Sequence, residues 1–207
     1  MIALFLSAFA TFFVVIDPPG CAPIFAGLTR GTDAAHRRAM AIRSTLVAGA
    51  ILFVFALIGE PLLTTLGISL DAFRIAGGIM LFLIALEMVF EKRTQKRESR
   101  VQEVALHPEQ HEDISIFPMA IPMIAGPGSI ASAMLLTQRS HGLVAHLTVL
   151  GALLSVLVIL MAALLAAGPL MRFIGYKVEA MITRLLGVLL AALAAQFVID
   201  GARAAFL

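Results

Sequence analysis

Charge is scarce in this chain. Only 14% of its 207 residues are Asp, Glu, Lys or Arg, whereas 60% are hydrophobic. A soluble domain carries roughly 25% charged residues, so a water-facing surface cannot be covered here and a soluble globular enzyme is excluded. The same numbers exclude a disordered chain, which is polar and strongly charged. A formal net charge of +2, with no basic patch interleaved with aromatics, excludes a nucleic-acid footprint. Tryptophan is absent, tyrosine occurs once, and the single cysteine, Cys21, rules out an intrachain disulfide. No phosphate-binding Walker loop, GxSxG elbow, HExxH helix or dinucleotide fingerprint is present. What is abundant is long apolar sequence, and that defines a membrane protein.

A bilayer core of about 30 Å takes about 20 apolar residues to cross as a helix. Six stretches qualify: 4–28, 42–60, 73–90, 115–137, 143–168 and 185–206. No Lys or Arg precedes the first, and it closes on Asp-Pro-Pro rather than a cleavage pattern, so it reads as a retained span. The three connections 1–2, 3–4 and 5–6 carry twelve of the 15 Lys and Arg residues. By the positive-inside rule those connections face the cytoplasm and both termini lie outside.

Displacing the chain by 108 residues lays Pro19-Gly20 on Pro127-Gly128, Pro61 on Pro169 and Gly67 on Gly175. This predicts two three-helix repeats, 1–91 and 114–207, joined by a polar cytoplasmic linker, 92–113. Three spans per repeat is an odd number, so the second must cross the bilayer inverted. The predicted fold is therefore all-α, with six transmembrane helices of which helices 1 and 4 are broken at Pro-Gly. Proline removes a backbone donor and glycine frees the chain. The new helix starting after each break would offer uncapped N–H groups, and the segment before it would end in carbonyls. Donors for a carboxylate beside acceptors for an ammonium group suit a zwitterion. Single kinks of this kind also occur in ordinary packed membrane helices.

Asp17 is the most informative residue. Taken from the repeat-matched start near Ser7, it falls close to the bilayer midplane, where an acid marks an ion, proton or substrate site. It equally reads as the N-cap of the following half-helix, and Ser129 has the same double meaning. His107 and His111 stand four apart, but Pro108 interrupts them and no third ligand follows, so they read as solvated linker. Gly187, Ala191 and Ala195, like Gly77 and Gly78, read as small residues for close helix packing. A bilayer-embedded lipid-pyrophosphate phosphatase would need an arginine-bearing loop after Pro127-Gly128, where Ser129-Ile130-Ala131-Ser132 stands instead.

Asp17-Pro18-Pro19-Gly20-Cys21-Ala22-Pro23-Ile24-Phe25 and Ala120-Ile121-Pro122-Met123-Ile124-Ala125-Gly126-Pro127-Gly128-Ser129-Ile130 resemble the paired motifs of the MarC family of bacterial inner-membrane proteins, also described as neutral amino acid transporters. The likeness covers essentially the whole chain. One departure is Cys21, where the family usually has Asn. The resemblance implies a carrier of small neutral amino acids such as glycine and alanine, coupled to a proton or sodium gradient and needing no cofactor. Substrate would bind between the breaks. Gly20, Cys21, Gly128 and Ser129 would receive the carboxylate, and carbonyls near Ile16 and Ile124 the ammonium group. Pro19, Gly126 and Pro127 would shape the breaks, and Asp17 would serve the coupling ion. A hydrolase, a channel and a non-transporting membrane partner are the competing readings.

Overall fold

The computed structural model describes residues 1–91, 113–140 and 142–206, with side chains throughout these except at 170–177 and 179. All regular structure among them is helical: α1 (Ile2–Ile16), α2 (Pro18–Leu28), α3 (Ala34–Thr65), α4 (Leu70–Val89), α5 (Ser115–Ile124), α6 (Pro127–Gln138), α7 (Leu143–Leu165) and α8 (Ala167–Phe206). Five helices are long and apolar enough to cross a membrane, with Ile2–Leu28 counted as one; α5 and α6 make a sixth span if that bent pair is taken together. Large apolar side chains on the outside, among them Leu46, Leu57, Leu83, Leu147, Val158 and Leu189, give the bundle a lipid-facing coat. Most of the linker 92–113, with His107 and His111, lies outside the described residues.

Helix ends follow local chemistry. The Asp33 carboxylate accepts the His36 N–H at 2.7 Å to open α3, and the Ser69 hydroxyl accepts the Ala72 N–H at 3.1 Å to open α4. Between them, α3 stops at Gly67, whose φ of 68° lets the Ile68 N–H turn back to the Leu63 carbonyl at 2.9 Å. Two elements run longer than the apolar stretches predict. The second span continues from 60 to Thr65 with Pro61 inside it, and the backbone of the 5–6 connection is helical from Ala167. Pro169 is compatible with that start, because the first-turn N–H groups of a helix have no partner within it.

The closest helix pair is α4 against α8. A Cβ added at Gly78 would stand 2.9 Å from the Ala194 carbonyl oxygen; at Gly187, 3.2 Å from that of Ala85; at Gly201, 3.0 Å from that of Asp71. The contacts descend along α4 as they ascend along α8, so the helices are antiparallel. The small-residue face of α8 thus runs through Gly187, Ala194 and Gly201. Ala195 points outward, a correction to the i, i+4, i+8 stripe. The seam's seven-residue steps keep one face turned to α4, whereas eight residues carry a helix past it.

Two apolar clusters fill the interior. One joins α1, α2, α3, α5 and α7; the other joins α4 and α8. Two elements serve both. Helix α1 gives Phe12 and Ile16 to the first and Val14 and Val15 to the second; α6 gives Leu136 and Leu135 respectively. Burial on both sides puts these elements, each flanking a proline–glycine segment, at the centre of the molecule.

Candidate functional site

The first interruption is built around Asp17. Its φ and ψ of 59° and 63° are left-handed, a region that Asp tolerates better than most residues. Its N–H closes α1 on the Phe13 carbonyl at 3.0 Å, while its side chain accepts the Gly20 N–H at 3.1 Å to open α2. The capping reading of Asp17 is therefore realised in the structure. Pro18 and Pro19 have no N–H, so the Val14 and Val15 carbonyls cannot receive their helical i→i+4 bonds. The Ile16 carbonyl accepts the Cys21 thiol at 3.4 Å. Ile16, Asp17, Gly20 and Cys21 are all buried, and Pro19 partly so.

The second interruption is larger, and it begins earlier than the sequence reading placed it. Phe117 and Ile121 both have extended backbone angles, because each precedes a proline and is crowded out of the helical region. Pro118 and Pro122 thus make α5 a wide, π-type coil rather than a regular half-helix. A 55° bend separates it from α6. Gly126 is needed at the corner, since a Cβ there would meet the Pro122 carbonyl oxygen at 2.5 Å. Unlike α2, α6 opens with no side chain capping its N–H groups. Ile124, Gly126, Gly128 and Ser129 are buried, whereas Pro127 is exposed.

The two interruptions come together through glycine. A Cβ on Gly128 would lie 2.5 Å from Ile84 Cδ1, 3.2 Å from Leu81 Cδ2 and 3.5 Å from Val15 Cγ1. So α6 begins directly against the last turn of α1, two residues ahead of Asp17. Four residues beyond Gly128, on the same helical face, Ser132 is wholly buried and its hydroxyl has no hydrogen-bond partner among the described residues. The other buried hydroxyls of α6 and its end, Thr137 and Ser140, both donate to carbonyls four residues back. The sequence reading passed over Ser132. Its spacing from Gly128 was visible, but its unsatisfied hydroxyl depends on neighbours that only the fold supplies. Among the described residues no three His, Cys, Asp or Glu side chains group as a metal site.

Apolar helices wrapped around two irregular, buried polar interruptions define a polytopic integral membrane protein. The chain belongs to the MarC family: the model for "MarC family integral membrane protein" matches residues 2–206, as the two motifs led us to expect. It is 37% identical over 203 residues to a UPF0056 membrane protein of Methanocaldococcus jannaschii, covering 98% of each chain. A UPF0056 membrane protein of Archaeoglobus fulgidus is 31% identical over 200 residues, covering 97% of this chain and 92% of its own. The UPF0056 inner membrane protein YhgN of Escherichia coli is 32% identical over 198 residues, covering 96% and 95%. No solved structure matches.

Proposed function

We propose that this protein is a secondary active transporter of small neutral amino acids, working by alternating access around a site where the broken first and fourth spans meet. The observation that carries this reading is the Ser132 hydroxyl, buried and unpartnered one turn from the uncapped start of α6. A buried hydroxyl without a bond costs about 1–3 kcal/mol, a penalty that a bound ligand relieves. The N–H groups of Gly128 and Ser129 offer a carboxylate the partial positive charge of a helix start. Backbone carbonyls deprived of helical donors by Pro18, Pro19 and Pro127 suit the ammonium group. Asp17 is the candidate for a coupling proton or sodium ion.

Each three-helix half ends in one partner of the antiparallel α4–α8 pair, which supports an inverted repeat. The excess of Lys and Arg in connections 1–2, 3–4 and 5–6 puts these in the cytoplasm. The printed description of YhgN supports an inner-membrane location. The test is counterflow of labelled glycine and alanine in proteoliposomes, under imposed proton and sodium gradients. Wild-type protein should show saturable exchange, and Ser132→Ala should raise the KM about tenfold, the worth of one hydrogen bond to a charged group. Thermal stability without substrate should hold or rise. Absence of exchange by wild type, or an unchanged KM in Ser132→Ala, overturns the reading.

A further inference from the structure

A second polar feature lies away from the interruptions. Between the end of α2, the first turns of α3 and the α7–α8 junction is a cavity of about 330 Å³, within the size range of small-ligand sites. Its walls include Phe25, Leu165 and Pro169; its polar side chains are Thr29, Arg37 and Arg38. The Thr29 hydroxyl donates to the Phe25 carbonyl at 2.7 Å and has only acceptor capacity left. The hydrogen-bond donors and the charge therefore come from the two guanidinium groups.

Elsewhere arginines are matched with acids: Arg43 with Asp113, Arg74 with Asp71, Arg139 with Asp200 and Arg184 with Glu91. No ion-pair partner for Arg37 or Arg38 is found among the described residues. Asp33, one turn before Arg37, spends its carboxylate on the His36 N–H and does not line the cavity. Both arginines also sit in the opening turns of α3, where the helix's own partial positive charge opposes them. An anion between them relieves both repulsions, and a guanidinium pair fits the oxygens of a phosphate group.

The apolar side of the cavity identifies the source of that phosphate. Leu165 ends a membrane-spanning helix and remains 48% exposed, giving an acyl chain a surface continuous with the bundle's lipid-facing coat. Basic pockets at the cytoplasmic ends of membrane helices hold anionic lipid headgroups in this way. We infer that this cavity binds the phosphate headgroup of an acidic phospholipid, with Arg37 and Arg38 on the phosphate and the acyl chains along Leu165 and Pro169. The 11 residues of α2, about 16 Å of helix, separate it from Asp17, so it is independent of the proposed transport site.

The test uses the full chain purified in a neutral detergent. It is titrated with phosphatidylglycerol, cardiolipin, phosphatidylcholine or inorganic phosphate, and read by native mass spectrometry and thermal unfolding. Phosphatidylglycerol and cardiolipin should remain bound and raise the unfolding midpoint, while phosphatidylcholine and inorganic phosphate should do neither. Arg37→Gln and Arg38→Gln should each weaken acidic-lipid binding about fivefold, and together about thirtyfold. Arg30→Gln, outside the cavity, should leave it unchanged. Should the double variant not fold, the two single variants decide. Equal retention of phosphatidylcholine, or undiminished acidic-lipid binding by the arginine variants, overturns the inference. Tight binding of inorganic phosphate alone reassigns the cavity to a soluble anion and overturns it too.

Discussion

Asp17 does three jobs with one residue: it stops α1, turns the chain through a left-handed conformation and starts α2. Few side chains allow all three. Asn tolerates the same backbone angles and caps equally well, whereas Ala does neither. Asp17→Ala should therefore lower stability by about 2 kcal/mol, roughly 1 for the cap and 1 for the backbone. Asp17→Asn should stay within about 0.5 kcal/mol of wild type, because it loses only charge. Unfolding of the two variants in detergent checks this. In the transport assay, Asp17→Asn should change the dependence on the imposed gradient; unaltered dependence would leave Asp17 as a cap alone. The cap was legible in the run Asp-Pro-Pro-Gly, which carries an acceptor, two residues without donors and a flexible position. Ser132 was not legible, since sequence states that a hydroxyl exists but not whether anything meets it.

At the scale of elements, the small residues of α4 and α8 fix the helix spacing through backbone rather than side-chain contacts. Gly78→Ala puts a methyl group 2.9 Å from the Ala194 carbonyl oxygen, which cannot rotate away as a side chain would. Overpacking of this kind costs roughly 1–3 kcal/mol, measurable as a lowered unfolding midpoint. Gly151→Ala on α7, where an added Cβ meets nothing within 4 Å, should leave the midpoint unchanged or slightly raised. The apolar lengths gave the spans, and Gly77 and Gly78 were legible as packing residues. The irregular build of α5 was missed, although its cause was in view: prolines 118 and 122, four apart, each force the preceding residue out of helix. The apolar count, which treats proline as one more non-polar residue, hid them. Contacts such as Arg139 with Asp200 at 2.7 Å, and the Arg139 guanidinium 4.8 Å from the Phe197 ring centre, join residues about sixty positions apart. No local pattern announces them.

Across the whole molecule, two ion pairs tie the halves together near the linker: Arg43 with Asp113, and Glu91 with Arg184. The Ser115 hydroxyl, then its N–H and Arg43, hold the Asp113 carboxyl below the ordinary carboxylate range, against an opposing effect of burial. A carboxylate depressed in the folded state stabilises fully above its unfolded pKa, and that contribution disappears as pH falls through the folded value. Unfolding midpoints of wild type and Asp113→Asn should therefore differ at neutral pH and converge on acidification below the usual carboxylate range. A constant gap would show that the charge is not responsible. These clasps are exposed, screened by salt and easily remade, unlike the α4–α8 seam. There two rods are notched into each other at three levels, with carbonyl oxygens lodged where glycines leave hollows. Such rods cannot slide lengthwise without first being prised apart. The freedom left between the two halves is a roll about their common line, so this buried joint serves as an axle and the surface ion pairs as its latches.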